Sequence, residues 1–364
     1  MALNPSGQIS LGGPTTGQSI ALELGQSGTA QISLGDTVVR TLLGIASGQI
    51  DFAAAYGKSN STTTQKAIFG YGYTPAFQSV TNLVSNTGVV ATDTPGVGSA
   101  RNALAAAGYG SDKAIFGFGA NPGVVPVAGL ASMTNLVSNT GVVATDTPGV
   151  PGVTARNALA AAGYGGDKAI FGHGAAPVTT SITNLVSNTG VVALDTPGVG
   201  TARTNLAAAG YGGDKAIFGY GYAATVFTTA ITNLVSNTGV VATDTPGVGT
   251  ARYSLAAAGY GGDKAIFGYG FSPATSPAAT RLLSMTNLVS NTGVVAADTP
   301  GVGTGRTGLA AAGYGGDKAI FGFGLTPVQQ SITNLVSNTG VAASNTPGIG
   351  TARSYLAAAG YSLT

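Results

Sequence analysis

A single unit of roughly 50 residues occurs six times in this chain, and this repetition limits the possible folds more than any other feature. In each copy Lys-Ala-Ile-Phe-Gly is followed by Thr-Asn-Leu-Val-Ser-Asn-Thr-Gly, a Thr-Pro-Gly stretch, an arginine and Leu-Ala-Ala-Ala-Gly-Tyr. Successive copies begin 47 to 55 residues apart, and such periods are typical of β-propellers and solenoids. The copies begin at Lys66, Lys113, Lys168, Lys215, Lys264 and Lys318.

The residue pattern within one copy predicts four short strands. Ala114, Phe116 and Phe118 alternate along the second of them, as in a strand with one buried face. A helix for Leu-Ala-Ala-Ala is disfavoured despite the helix propensity of alanine, because the run is short and is closed by Gly-Tyr. In the second copy the predicted strands are Leu104–Tyr109, Lys113–Gly119, Asn135–Ser138 and Val142–Asp146, with tight turns at 110–112 and 139–141.

These signals predict an all-β fold, and four strands in each period predict a six-bladed β-propeller. The order of elements from Arg156 to Arg203 resembles the kelch repeat, with an arginine, a small-residue inner strand, a turn, an apolar strand, a variable loop and two further strands. The chain departs from that family because it has no tryptophan, and its paired glycines flank a Tyr, Phe or His. The resemblance covers residues 61–364 and implies a kelch-like propeller.

The order of the copies also predicts how the ring closes. The first copy enters on its second strand at Lys66, whereas the sequence ends on a first strand, Leu356–Tyr361. We expect this C-terminal strand to complete the first blade, because an open arc would leave exposed strand edges. Residues 52–56, Phe-Ala-Ala-Ala-Tyr, compete for the same position. The predicted domains are an N-terminal region, 1–60, and the propeller, 61–364.

Composition excludes several classes of function. Charged residues make up only 8% of the chain and the net charge is +2, so the basic surface of a nucleic-acid binder is not expected. The absence of cysteine excludes disulfides, thiolate metal sites and cysteine nucleophiles. The single histidine, His173, occupies a position that is aromatic in the other copies, and we expect it to replace an aromatic side chain rather than bind a metal. We therefore expect neither an enzyme nor a cofactor, and no apolar run is long enough to predict membrane insertion.

The first 60 residues carry a different set of motifs. Three related phrases begin at Ser6, Ser27 and Ser47, the first reading Ser-Gly-Gln-Ile-Ser-Leu, and Tyr-Gly-Lys-Ser follows at 56–59. This segment resembles the N-terminal segment of many tailed-bacteriophage structural proteins. The resemblance implies a tail or tail-fibre protein located in the virion, attached through residues 1–60 to other virion proteins and assembled as a homo-oligomer such as a trimer. A small folded cap or linker is the alternative.

Charged residues that recur in every copy have two interpretations. They either form a ring around the central channel that holds an ion or an anionic sugar, or they form ion pairs between blades and cap turns. The second is favoured, because a repeated charge usually stabilises the repeat. The residues concerned include Lys66, Arg101, Asp112, Lys113, Arg156, Asp167 and Lys168.

The connection between the second and third strands varies in length and content from copy to copy, unlike the turns. Variable loops on a rigid scaffold commonly carry recognition, and aromatic side chains there can stack on sugars or anchor a protein. We therefore expect recognition of a host-surface glycan or protein; the alternatives are drift in unconstrained loops, a purely architectural virion component of baseplate, tail or capsid, and a polysaccharide-degrading propeller enzyme. The candidate binding residues are Tyr73, Phe77, Tyr222, Phe227, Phe271 and Arg281.

Overall fold

The computed structural model describes residues 65–121, 129–225, 227–273 and 281–362, and in the N-terminal region residues 11, 18–24, 26, 27, 29, 32, 33 and 36–43. The chain forms two compact units, one of Met1–Thr63 with Thr364 and one of Thr64–Leu363. Tyr-Gly-Lys-Ser, the competing segment 52–56, and most of the three N-terminal phrases lie outside the described residues.

The described residues of the N-terminal unit include two short helices, α1 (Ile20–Glu23) and α2 (Thr37–Leu43). Asp36 immediately precedes α2, and its carboxylate accepts a hydrogen bond from the Ser33 N–H. Ile20, Val39, Leu42 and Leu43 form a small buried cluster, with Leu11, Leu24 and Ile32 packed against it. The i, i+3, i+4 spacing of Val39, Leu42 and Leu43 thus places them on one buried face of this short helix.

The described residues of the Thr64–Leu363 unit form six small antiparallel sheets of three strands each, one for each copy of the repeat, and two further sheets of two strands. We number the six copies as units 1 to 6. The strands are β1 Lys66–Tyr73, β2 Phe77–Val84, β3 Ala105–Tyr109, β4 Lys113–Gly117, β5 Thr134–Val137, β6 Ala160–Tyr164, β7 Lys168–Gly172, β8 Ala175–Ala176, β9 Val178–Thr179, β10 Thr183–Val186, β11 Ala207–Tyr211, β12 Lys215–Gly219, β13 Tyr222–Ala223, β14 Phe227–Thr228, β15 Thr232–Val235, β16 Ala256–Tyr260, β17 Lys264–Gly268, β18 Thr286–Val289, β19 Ala310–Tyr314, β20 Lys318–Gly322, β21 Thr333–Val336 and β22 Ala357–Tyr361. Unit 1 contains β22, β1 and β2; unit 2 β3 to β5; unit 3 β6, β7 and β10; unit 4 β11, β12 and β15; unit 5 β16 to β18; and unit 6 β19 to β21. The two-stranded sheets pair β8 with β9 and β13 with β14.

The predicted fourth strand, Val142–Asp146, is wrong as a regular strand. Isolated bridges join Val143 to Val137 and Thr147 to Thr134, so the outer segment has one residue more than the strand it faces. Such an extra residue disrupts a continuous ladder. The Asn135 side chain partly replaces that ladder, because its Nδ2 donates to the Ala144 carbonyl and to Asp146.

Both predicted turns of the repeat are confirmed. Gly110 and Ser111 have φ of 59° and 69° in the first turn, and Gly141 has φ of 83° in the second. Because these turns lie at one end of every sheet and the variable connections leave from the other, we call the two ends the turn end and the loop end. The strand predicted as Lys113–Gly119 stops at Gly117, because Phe118 adopts φ of 66° and its chain turns away from the ladder.

The C-terminal strand supplies the inner strand of unit 1, as the order of copies predicts. β22 pairs antiparallel with β1, from Lys66 opposite Tyr361 to Gly70 opposite Ala357. The first strand of each unit also lies against the first strands of the units before and after it, and β22 lies against both β19 and β3. The approach is close: a methyl group added at Gly163 would lie 3.4 Å from the Gly108 carbonyl oxygen of the preceding unit.

Two cycles of backbone hydrogen bonds run through all six units, one at each end of the inner strands. At the loop end a residue with φ between 49° and 58° donates to its equivalent in the preceding unit, at 2.7 to 2.9 Å. This loop-end ring consists of Ala103, Ala158, Asn205, Ser254, Gly308 and Tyr355. At the turn end six amides donate to carbonyls of the next unit at 2.6 to 2.9 Å, from Gly110, Gly165, Gly212, Gly261, Gly315 and Ser362 to Asp167, Asp214, Asp263, Asp317, Gln65 and Asp112 respectively.

Candidate functional site

The loop end positions its side chains through a fixed backbone link in each unit. The first residue after the Gly-aromatic-Gly segment forms a β-bridge with the residue just before the loop-end ring residue of its unit. Thus Tyr222 bridges Thr204, which precedes Asn205, and Phe271 bridges Tyr253, which precedes Ser254. In unit 4 the loop continues as a two-stranded hairpin of β13 and β14. The aromatic side chains of these loops therefore lie on hydrogen-bonded backbone that is continuous with the ring.

Four aromatic side chains form a continuous surface across units 4 and 5. Tyr222 contacts Phe227 and Tyr253 with ring centroids 6.2 and 6.0 Å apart, and Tyr253 contacts Phe271 at 5.4 Å. Phe227 is 64% exposed, whereas the other three are half-buried. We call Tyr222, Phe227, Tyr253 and Phe271 the aromatic surface. Its edge-to-face and tilted contacts are the arrangements that aromatic rings prefer.

Sequence analysis missed Tyr253, which joins the predicted residues into one surface. The residue lies two positions before the leucine of the inner strand, where the other copies have Asn, Thr or Ser. This exception within the repeat was a signal available in the sequence. Burial raises the pKa of Tyr253, and the neighbouring Tyr355 and Tyr222 contribute in the same direction, so the hydroxyl remains a neutral donor at physiological pH.

The remaining loop candidates are not part of this surface. Tyr73 and Phe77 form a separate edge-to-face pair with centroids 5.7 Å apart in unit 1. Arg281 is exposed, and its carbonyl accepts a hydrogen bond from the Ser272 N–H at the base of the unit-5 loop. The central parts of the two longest predicted loops, residues 122–128 and 274–280, lie outside the described residues.

The repeated arginines are buried between units rather than placed at a channel. Arg156 is fully buried, and its guanidinium lies 4.3 Å from the centroid of Phe118 in unit 2. The same side chain donates to Asn184 Oδ1 at 2.6 Å and to the His173 carbonyl at 2.9 Å, both in unit 3. Arg101 makes the corresponding contact with the Tyr71 ring at 4.9 Å and donates to Asn135 Oδ1. Arg252, Arg306 and Arg353 also lie over aromatic rings, so these five arginines link neighbouring units by cation–π and hydrogen-bond contacts.

The aspartates next to these arginines hold the connection that leads into their own unit. Asp146 accepts hydrogen bonds from the Ser99 N–H and Oγ, at 2.9 and 2.7 Å, and from Asn135 Nδ2 at 2.9 Å. Partial burial opposes ionisation of Asp146, but these hydrogen bonds and the charge of Arg101 outweigh it and lower the carboxyl pKa. In unit 6 the equivalent residue is Asn345, which accepts from the Thr304 N–H and donates to Thr304 Oγ1.

The lysines and the turn aspartates lie at the turn end. Lys113 and Lys168 pair with the aspartates that precede them, Asp112 and Asp167, at 2.6 and 2.7 Å. These contacts raise the pKa of each lysine and lower that of each aspartate, mainly through the hydrogen bond between them. Both lysines line a cavity between the inner strands, whereas Lys66 is exposed and does not contribute to its lining.

His173 replaces an aromatic ring in the interior of unit 3. It is fully buried, and its ring centroid lies 5.3 Å from that of Phe218. Neither ring nitrogen has a hydrogen-bond partner among the described residues. Burial, reinforced by the charge of Arg203, lowers the pKa of His173 to about 3, so the imidazole is neutral at physiological pH.

Within the ranges that the structure describes, no group of three or more His, Asp or Glu side chains is arranged to bind a metal ion. Among the same residues, no helix has the length and hydropathy needed to cross a membrane. No protein-family model matches the chain, and a search of curated proteins finds no sequence with significant similarity to it.

Proposed function

We propose that the six units form a kelch-like six-bladed β-propeller that acts as a binding scaffold. Support comes from the two hydrogen-bonded rings, each of which returns to its starting unit. The pairing of β22 with β1 also joins the last copy of the repeat to the first. A scaffold closed in this way holds loops from different units in fixed relative positions, which recognition requires.

The aromatic surface is the observation that carries a binding function. Tyr222, Phe227, Tyr253 and Phe271 present adjoining rings from two units, with Phe227 the most exposed. Aromatic rings combine a large apolar face with low conformational entropy cost on binding, and tyrosine adds a hydroxyl donor. We propose that this surface binds glycan on a host cell by stacking against sugar rings.

The biological setting that we propose is the virion of a tailed bacteriophage, with the N-terminal unit attaching the chain to other virion proteins. This part of the proposal rests on the phrases that begin at Ser6, Ser27 and Ser47 and on Tyr-Gly-Lys-Ser. Immunogold electron microscopy with antibody to residues 61–364 tests it. Gold on the tail tips of virions supports the proposal. Gold that is found only in cells, with none on the virions, overturns it.

Glycan binding is tested by applying the purified chain to an array of bacterial surface glycans. Phe227→Ala should reduce the signal of every bound glycan by about tenfold, which is the order expected for loss of one stacking aromatic residue. Val178→Ala is the matched control, because Val178 is 73% exposed and begins the equivalent hairpin strand in unit 3. Equal binding by wild type and Phe227→Ala would contradict the assignment of the surface, and depolymerisation of a glycan would favour the enzyme alternative.

An architectural role is the second candidate, and one observation favours it. The valine directly after each Asn-Thr-Gly turn is 63 to 66% exposed, so the turn end presents six similar apolar side chains. Exposed apolar residues that recur around one surface are typical of contacts with another protein. Cross-linking of intact particles would then join this surface to a virion protein, and the glycan array would remain blank. The valines are Val89, Val142, Val191, Val240, Val294 and Val341.

A further inference from the structure

A cavity of about 290 Å³ lies between the inner strands and opens at the turn end. Alanines and glycines of the inner strands form its wall together with Tyr109, Tyr164, Tyr211 and Tyr260. Five lysines, one from each of units 2 to 6, line it with Gln65 and Ser111. None of the residues described as lining it is an aspartate or glutamate. The lysines are Lys113, Lys168, Lys215, Lys264 and Lys318.

The aspartates of the turns hold the lysines in place without entering the cavity lining. Each lysine Nζ lies 2.6 to 3.0 Å from Oδ1 of the preceding aspartate, and each lysine side chain is 43 to 44% exposed. The second carboxylate oxygen of Asp214 accepts from Asn237 Nδ2 at 3.1 Å, and Asp263 accepts likewise from Asn291. An ammonium group has three donors, so one bond to aspartate leaves two for another acceptor.

Unit 1 departs from this pattern in a way that adds positive character. Gln65 takes the place of the turn aspartate, and its backbone carbonyl accepts from the Gly315 N–H in the turn-end ring. Its side-chain Oε1 accepts from the Gly316 N–H at 2.9 Å. Its Nε2 is directed towards the inner strands, 3.0 Å from the position that a methyl group on Gly360 would occupy. The turn end thus has six repeat lysines and five turn aspartates. The Gln65 side-chain amide, which can donate hydrogen bonds, is part of the cavity lining.

We propose that this cavity binds a small polyvalent oxyanion, a molecule with two or more phosphate, sulfate or carboxylate groups. Its volume is at the lower end of the range for small-molecule sites, which excludes a polymer from the interior. Each lining lysine keeps two ammonium donors beyond its bond to aspartate, and ammonium groups form strong charge-assisted hydrogen bonds with oxyanions. The site lies at the opposite end of the inner strands from the aromatic surface, and the inference does not depend on the proposed glycan binding.

Isothermal titration calorimetry of the full chain with inorganic triphosphate, at fixed pH and ionic strength, tests the proposal. Wild type should bind one triphosphate per chain, and acetate should not compete. The double variant Asp167→Asn/Lys168→Gln removes one lining cation without changing the net charge, and it should weaken binding about fivefold, the order for one solvent-screened ionic contact. Lys66→Gln is the matched control, because it removes the equivalent lysine from the one unit whose lysine does not line the cavity.

The two variants separate a built site from general charge attraction. Weaker binding by Asp167→Asn/Lys168→Gln with unchanged binding by Lys66→Gln supports the cavity. The reverse order overturns the proposal, as does wild type that binds no triphosphate. Thermal melts of both variants without triphosphate show whether they are folded. The variant Lys168→Arg keeps the positive charge and should bind triphosphate with most of the wild-type affinity if the contact is ionic.

Discussion

Acid should destabilise this protein in part through His173, and replacing that residue by phenylalanine should remove its contribution. The folded-state pKa of His173 is about 3, against about 6.5 in an unfolded chain. Between these two pH values only the unfolded state binds the proton. The contribution of His173 therefore leaves the free energy of unfolding at its full value above pH 6.5 and lowers it as the pH decreases below 6.5. At pH 4.5 the loss reaches about 3 kcal/mol relative to pH 7.5, since each pH unit below 6.5 corresponds to about 1.4 kcal/mol. Phenylalanine already occupies the equivalent position at Phe118 and Phe323.

The measurement is urea denaturation of wild type and His173→Phe at half-unit steps from pH 4.5 to 7.5. The difference between the two free energies of unfolding should grow by about 3 kcal/mol towards pH 4.5, because other acidic groups contribute equally to both proteins. Phe118→His is the reciprocal control and should show added acid sensitivity in a second unit. A difference that does not change with pH would refute the assignment of a neutral, buried His173.

Three further predictions concern contacts between and within units. Arg252→Met should lower the free energy of unfolding by about 3 kcal/mol, because it leaves the buried Tyr269 carbonyl and Asn287 side-chain oxygen without their donor. In the same urea titration the control Arg281→Met, at an exposed residue, should change it by less than about 0.5 kcal/mol. Asn345→Asp restores the carboxylate of the other units and should add up to about 1 kcal/mol at pH 7. The gain should decrease as the pH falls below the ordinary aspartate range towards the lowered pKa, so calorimetry should show a smaller gain at pH 3 than at pH 7. Gly117→Ala should lower the free energy of unfolding by about 1 to 3 kcal/mol, because the added methyl group would lie 2.7 Å from a phenylalanine ring of unit 3. The melting temperature should fall further than for the control Gly166→Ala, where the added methyl group meets no atom within 4 Å although φ is 78°.

Much of the fold was predictable because the repeat supplies six independent copies of the same signal. Alternation along Lys113–Gly117 and the glycine-rich turns predict the strands and hairpins that the structure contains. The outer segment was harder, because Val142–Asp146 has the composition of a strand although an extra residue breaks its ladder. A bulge depends on the register with the partner strand, and register is not visible in the composition of one segment.

The site was less predictable than the fold because side chains that are distant in sequence meet there. Tyr222, Phe227 and Phe271 were predicted from loop variability, but Tyr253, which connects them, lies before an inner strand and outside those loops. The arginines were predicted to serve the repeat, yet their complete burial against aromatic rings depends on packing between units. A charged residue in a glycine-rich segment is normally expected at the surface, so its sequence context suggests the opposite of what the fold requires.

Closure of the six units into one cycle is the central claim, and backbone hydrogen exchange of the full chain tests it most directly. The amide of Ala103 donates to Tyr355 across the junction between unit 1 and unit 2, and the amides of β1 pair with β22. If the cycle is closed, these amides should exchange as slowly as the equivalent Ala158 and Asn205 amides inside the array. Exchange of Ala103 and β22 at the rate of a frayed terminus, with slow exchange retained in units 3 to 5, would contradict the account.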